Sequence, residues 1–251
     1  MMRRYLLALV ALAPATASAE SWTASYSLAA AGITVMEATV RVEFTPEGYR
    51  VESQVRTRGV AGAVVSGRQT TRVEGSWSET GPVPRRYMTE GAWRGQPRRV
   101  EMEYGRDGAP RILLMEPPSQ TERRPVPPEM TRGAVDSLSA VAWLVHEARR
   151  TGSCEGERRI YDARQVTHIS SRPAGVETIA EGTALRCQME SRVLAGSRLD
   201  RDEADAARPQ PITAWIASTS PGAPPVPVRI ELASRWWGTV TATLTGLRRT
   251  T

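Results

Sequence analysis

Val40-Arg41-Val42-Glu43-Phe44-Thr45-Pro46-Glu47-Gly48-Tyr49-Arg50-Val51-Glu52-Ser53-Gln54-Val55-Arg56 is the stretch that decides the fold class. Apolar and polar side chains alternate on both sides of Pro46-Glu47-Gly48. A period of two places alternate side chains on opposite faces of an extended chain. Two such runs across a short Pro/Gly turn predict an antiparallel hairpin with one dry face and one wet face.

The same texture extends outward. Upstream, Ser25 to Ala31 and Ile33-Thr34-Val35 read as a further strand, broken near Gly32. Downstream, Thr70–Trp77, Arg86–Trp93, Arg98–Tyr104 and Arg111–Met115 read as strands, with Asp107-Gly108 as a hairpin turn signal. The apolar, glycine-bounded run 59–67 fits a tight connection, a short helix or a flexible lip. Beyond a Pro-rich loop at 117–128, Ala134, Val135, Leu138, Val141, Ala142, Val145 and Ala148 recur at helical spacing. Asp136 or Thr131 could cap that helix and Gly152 could end it. Arg159–Ile169, Ala184–Leu194, Ile212–Ala217, Val226–Ala233 and Gly238–Leu244 return to period two, with a turn or short strand within 175–182. A lone amphipathic helix in a β protein must bury its apolar face against a sheet. The expectation is a mainly β protein: a single curved, mostly antiparallel sheet, an open barrel or spiral, wrapped around one main α-helix.

The amino terminus reads Met1-Met2-Arg3-Arg4, then an apolar run from Tyr5 to Ala13, then Pro14, then Ala17-Ser18-Ala19. This is the charged, apolar and small-residue order of a secretory signal peptide, predicting cleavage after Ala19. The apolar run is well short of the roughly 20 residues needed to cross a bilayer. The expected organisation is a signal peptide at 1–19 and a single β-rich domain at 20–251, located in the periplasm, with no transmembrane segment in the mature protein. Lipid attachment would need a cysteine at the new amino terminus, and the only cysteines are Cys154 and Cys187. In an oxidising compartment these two are expected to form a disulfide, worth about 3–4 kcal/mol in the chain-entropy model. Their spacing fits neither a metal site nor a redox pair.

All 33 basic side chains are arginine, and the formal net charge is +6. The arginines are scattered among acids (Arg41/Glu43, Arg50/Glu52, Arg99/Glu101). Nucleic-acid binding wants a concentrated basic patch with aromatics between, so that partner class is set aside.

Candidate chemistry is sparse. Asp136-Ser137-Leu138-Ser139 puts a carboxylate beside two hydroxyls, which suits a helix cap and also invites a serine-hydrolase reading. The histidines are His146 and His168. His146-Glu147 opens like H-E-x-x-H, but Arg150 holds the fifth position. Glu101 and Glu103 share one strand face, as an acid/base pair or as a solvated face. No metal and no cofactor are expected. Trp236-Trp237-Gly238 stands out in a chain with seven Trp, six Tyr and one Phe. It reads either as core packing plus a turn or as a rim of amphipathic rings at a ligand mouth or membrane surface.

Several motifs fall in a familiar order: Gly32-Ile33, the Gly-rich stretch after a strand, and Asp136-Ser137-Leu138-Ser139 opening a helix. Then come Tyr161-Asp162-Ala163-Arg164 after Cys154, Cys187 in a later strand, the strand Pro227 to Glu231, and Gly238-Thr239-Val240. Together they resemble the bacterial exported domain-of-unknown-function family 3108, over about Trp22 to Leu247. The resemblance implies a periplasmic protein with a curved, mostly antiparallel sheet, loosely similar to lipoprotein-carrier-like envelope proteins. It transfers no catalytic residue. The family more usually has Asp-Gly-Arg where this chain has Asp162-Ala163-Arg164.

The functional expectation is non-enzymatic binding of an apolar, lipid-like ligand or an envelope protein partner on the curved sheet. Two further readings stay open: a structural scaffold for envelope assembly, and an envelope hydrolase using Asp136, Ser137 or Ser139 with His146.

Overall fold

The alternating segments form one continuous sheet. The computed structural model describes residues 20–59, 62, 66–180, 182–234 and 238–250. Thirteen strands follow in chain order: β1 (Glu20–Ala30), β2 (Ile33–Phe44), β3 (Gly48–Thr57), β4 (Gly67–Ser78), β5 (Gly81–Trp93), β6 (Gln96–Tyr104), β7 (Pro110–Glu116), β8 (Gly156–Tyr161), β9 (Val166–Ile179), β10 (Gly182–Ala195), β11 (Gln210–Ala217), β12 (Val226–Ser234) and β13 (Gly238–Arg249). Between β7 and β8 lie α1 (Pro128–Thr131) and the main helix α2 (Ser137–Thr151), and α3 (Glu203–Ala206) precedes β11.

The spatial order is β7-β6-β5-β4-β3-β2-β1-β13-β12-β11-β10-β9-β8. Every named pairing is antiparallel, and β1 pairs with β13, so the first and last strands meet inside the sheet. The edges, β7 and β8, are consecutive in the chain and are joined by the segment that carries α2. The sheet is not closed. It is nevertheless strongly curled: Tyr49, Val51, Tyr87 and Met102 of β3–β6 share one core with Tyr161 and Val166 from the opposite end of the strand order.

Alternation explains which side chains go in. Trp22, Val42, Val51, Val73, Tyr87 and Met102 are register partners across six strands, and all lie on the helix side. On the other face Glu43, Arg50, Glu74, Arg86, Glu103 and Arg111 are successive register partners, so charge alternates strand by strand. Arg111 lies 3.2 Å from Glu103, and Arg86 lies 3.7 Å from Glu101. The two glutamates therefore belong to an outer ion-pair ladder. Exposed pairs of this kind contribute at most about 1 kcal/mol each, and they place opposite charges side by side in the correct register.

Three strand boundaries differ from the sequence reading, the first being that the strand expected to end at Ile169 runs on to Ile179. The run from Ser25 to Val35 is not one strand: Ala31 and Gly32 form a tight turn, and Ile33 starts a second strand that runs on to Phe44. Arg159 to Ile169 is likewise two strands, divided by the turn at 162–165. Ala163 there has φ of 73°, a conformation that normally signals itself with glycine.

The connection that follows β7 is tied to the segment that follows β10. Arg124 donates to Ser197 Oγ at 3.2 Å and to the carbonyls of Arg198 and Arg201 at 2.6 and 3.0 Å. Val135 pairs with Ile160 in a parallel bridge that partly covers β8.

Candidate functional site

Asp136 starts α2 with extended backbone, and its Oδ1 accepts from the Ser139 amide at 2.8 Å. This satisfies one of the free amides of the first turn, worth about 1 kcal/mol. Asp136 Oδ2 accepts from the Ser139 hydroxyl at 2.5 Å, and Tyr49 of β3 donates to that same hydroxyl at 2.7 Å. The three groups form a buried relay that locks α2 to the sheet. Asp136 and Ser139 are fully buried. Burial pushes the Asp136 carboxyl up to about 6, against the hydrogen bonds from Ser139, and it also raises the Tyr49 phenol. The Ser137 hydroxyl lies beside Tyr87, whose own phenol is raised by burial. Tyr104 completes the surroundings, its buried hydroxyl without a partner among the described residues.

The histidines stand elsewhere. His146 stacks on Trp77, ring centroids 4.1 Å apart, and burial lowers its pKa. His168 lies 3.2 Å from Glu157 on the far edge. Among the described residues neither imidazole bonds to Ser137 or Ser139, so the cluster has the cap and a carboxylate on the Ser139 hydroxyl but not the imidazole that the hydrolase reading requires. No group of His, Cys, Asp and Glu suited to a metal ion occurs among the described residues. The turn after β8 is structural as well: Asp162 Oδ1 accepts from the amides of Arg164 and Gln165, and the Arg164 side chain donates to the Pro117 carbonyl at 2.7 Å.

At the other end of α2, Gly152 closes the helix in the left-handed conformation, with its amide 3.1 Å from the Ala148 carbonyl. The chain then reaches Cys154, which is disulfide-bonded to Cys187 of β10. Both cysteines are fully buried, packed with Trp143, Leu144, Ala148, Ala214 and Ile216. Trp143 and Leu144 are both buried there as well, because the helix is enclosed from more than one side.

α2 leaves a third side unfilled. Leu138, Val141 and Val145 face Trp22, Ala24, Tyr26 and Leu28 of β1 and Ala38, Val40, Val42 and Phe44 of β2 across a cavity of about 210 Å³. Pro224, Val226, Pro227, Ile230, Ala242 and Leu247 complete its wall. The lining is almost wholly apolar. Val141 is 41% exposed although it lies on the helix face turned to the sheet. An apolar space of this kind is poorly hydrated, and it gains by taking up apolar groups. These residues were readable one by one as inward positions of alternating strands; that they surround an unfilled space was not. Trp236 and Trp237 lie outside the described residues.

The fold and cavity define a class: a curled, open, β-barrel-like sheet that holds a helix and an apolar space inside. Within that class the chain belongs to the family described as Protein of unknown function (DUF3108), whose model matches residues 22–245. It is similar to the crystal structure of a beta-barrel-like protein of domain of unknown function DUF1849 from Brucella abortus. The TM-score is 0.52 at 11% identity, covering 92% of this chain and 98% of that one. Looser likenesses are to a Bacteroides fragilis protein described as exported, with a YmcC-like fold (TM-score 0.35, 11% identity, 91% and 96% covered), and to a Parabacteroides distasonis protein described as a lipoprotein (0.33, 11%, 91% and 95%). No curated protein sequence matches the chain. No helix among the described residues is long and apolar enough to cross a membrane.

Proposed function

We propose that this chain is exported, is cleaved after Ala19, and works in the periplasm as a single-domain, non-enzymatic protein that carries an apolar, lipid-like ligand between α2 and the central strands. The carrying observation is the cavity of about 210 Å³ with its apolar wall. The leader-like sequence of residues 1–19 and the buried disulfide agree with an oxidising envelope compartment. Native mass spectrometry of protein recovered from the periplasm tests the ligand. An adduct of lipid mass, lost in Val141→Trp, is expected, because a ring at that position would occupy the space. Protein that is empty and takes up neither lipids nor acylated peptides would overturn the reading.

A second reading, docking of an envelope protein, has its own observation. Edge strand β7 carries Ile112, Leu113 and Leu114 in an exposed row, whereas edge strand β8 is charged and partly covered. Unpaired apolar edges attract added strands. Crosslinking from β7 in native envelopes should return one reproducible partner, and none would count against it.

A further inference from the structure

The connections of the amino-terminal half divide by charge between the two ends of the sheet. The turns β2–β3, β4–β5 and β6–β7 leave one end, and each holds an acid: Glu47, Glu79 and Asp107. The turns β1–β2 and β5–β6 leave the other end, where register partners Ala30 and Ile33, and Trp93 and Gln96, close the hairpins; the β3–β4 connection leaves there too, with residues 60, 61 and 63–65 outside the described residues. These hold no acid. They present Ile33, 61% exposed, and Trp93, 38% exposed, with Arg94 following the tryptophan.

Two of the acids near this rim are neutralised in place: Glu37 receives both Arg56 and Arg58 at 2.9 Å, and Glu90 receives Arg72 at 3.1 Å. Glu116, level with Glu90 in the register, is exposed and forms no ion pair among the described residues. Among the described residues no carboxylate pairs with Arg68 or Arg94. The tips are also held firmly. The Arg58 amide donates to the Val35 carbonyl at 2.8 Å, fixing the chain beside the β1–β2 turn. The Trp93 ring lies so close over Gly67 that a β-carbon there would fall 2.3 Å from it. An amphipathic indole, a protruding aliphatic tip and guanidinium groups without a carboxylate partner among the described residues, all on one rim, match the boundary between lipid headgroups and acyl chains. An acidic protein or nucleic acid would use the arginines but would leave Ile33 and Trp93 without a role.

We propose that this rim docks the protein on the surface of an anionic phospholipid bilayer, with Ile33 and Trp93 entering the headgroup layer and Arg68 and Arg94 facing lipid phosphates. The inference goes beyond the cavity reading and stands apart from it, because no rim residue lines the cavity. The test is flotation of the mature, disulfide-bonded protein with phosphatidylglycerol-containing vesicles and with pure phosphatidylcholine vesicles. Binding is expected only to the anionic vesicles, weakening as salt rises. Ile33→Asp and Arg94→Glu should each lower the vesicle-bound fraction about tenfold. Val176→Asp, an equally conspicuous change at 72% exposure on the β9 arm toward the opposite end, should leave it unchanged, as should Val141→Trp. Circular dichroism of each variant separates lost docking from lost folding. Absence of binding to anionic vesicles, or rim variants that bind as well as Val176→Asp, would overturn the proposal whatever mass spectrometry shows in the cavity.

Discussion

α2 meets the same sheet on sides of opposite character. Toward β3–β6, and again toward β10 and β11, it is fastened: a carboxylate–serine–tyrosine relay at one end, a disulfide just past the other, and side chains that fill the space between. Toward β1, β2, β12 and β13 it presents only Leu138, Val141 and Val145, and a space remains. A small protein gains from filling its core, since dispersion and apolar burial both favour it. The unfilled side beside two firmly fastened ones is what a ligand-holding protein needs: the fastenings keep the helix from collapsing into the cavity.

Breaking the fastenings should therefore be costly, and altering the open side cheap. The largest effect is expected at the disulfide. Cys154→Ser with Cys187→Ser should lower unfolding free energy by about 3–4 kcal/mol in denaturant melts. Because both sulfurs are fully buried, the native bond should also resist mild reductant until the protein unfolds.

Next comes acidity. With the folded Asp136 carboxyl raised to about 6 and the unfolded one near its ordinary value, the folded state holds the extra proton between roughly pH 4 and 6. Stability from this group is therefore greatest below about pH 4 and declines as pH rises through 6, by about 3 kcal/mol in all. Asp136→Asn keeps a good cap and should flatten that slope in melts across pH. A slope unchanged in the variant would assign the titration elsewhere.

Tyr49→Phe should cost about 1 kcal/mol, by leaving the buried Ser139 oxygen short of its donor. The smallest change is a gain: Ala163→Gly should raise stability by about 1 kcal/mol or less, because glycine adopts the φ of 73° without strain but also frees the unfolded chain.

The same comparison shows how far the sequence could be read. The fastened sides were legible in parts. Helical spacing from Ala134 to Ala148 marked the helix, Asp136 stood at a capping position, and two cysteines behind a leader-like sequence implied a bond. What could not be read was the meeting of Tyr49 with Ser139, ninety residues apart, since periodicity gives the face of a side chain and never its partner. Misplaced strand ends have local causes. Ala31-Gly32 sits between apolar runs that mask the turn, and Ala163 occupies a glycine conformation without being glycine. The cavity is the least legible feature of all. Trp22, Tyr26, Val40 and Phe44 announce an inward face, but whether a helix fills the space above them depends on its distance, which no pattern encodes.

The most direct test is native mass spectrometry of the wild-type protein and of Val141→Trp, both exported with residues 1–19 and recovered from the periplasm. A wild-type protein carrying or accepting one apolar ligand, beside a folded Val141→Trp that carries none, is the expected result. A wild-type protein that stays empty when offered lipids and acylated peptides, or a variant that binds them equally well, would contradict the assignment of the open side of α2 as a ligand site.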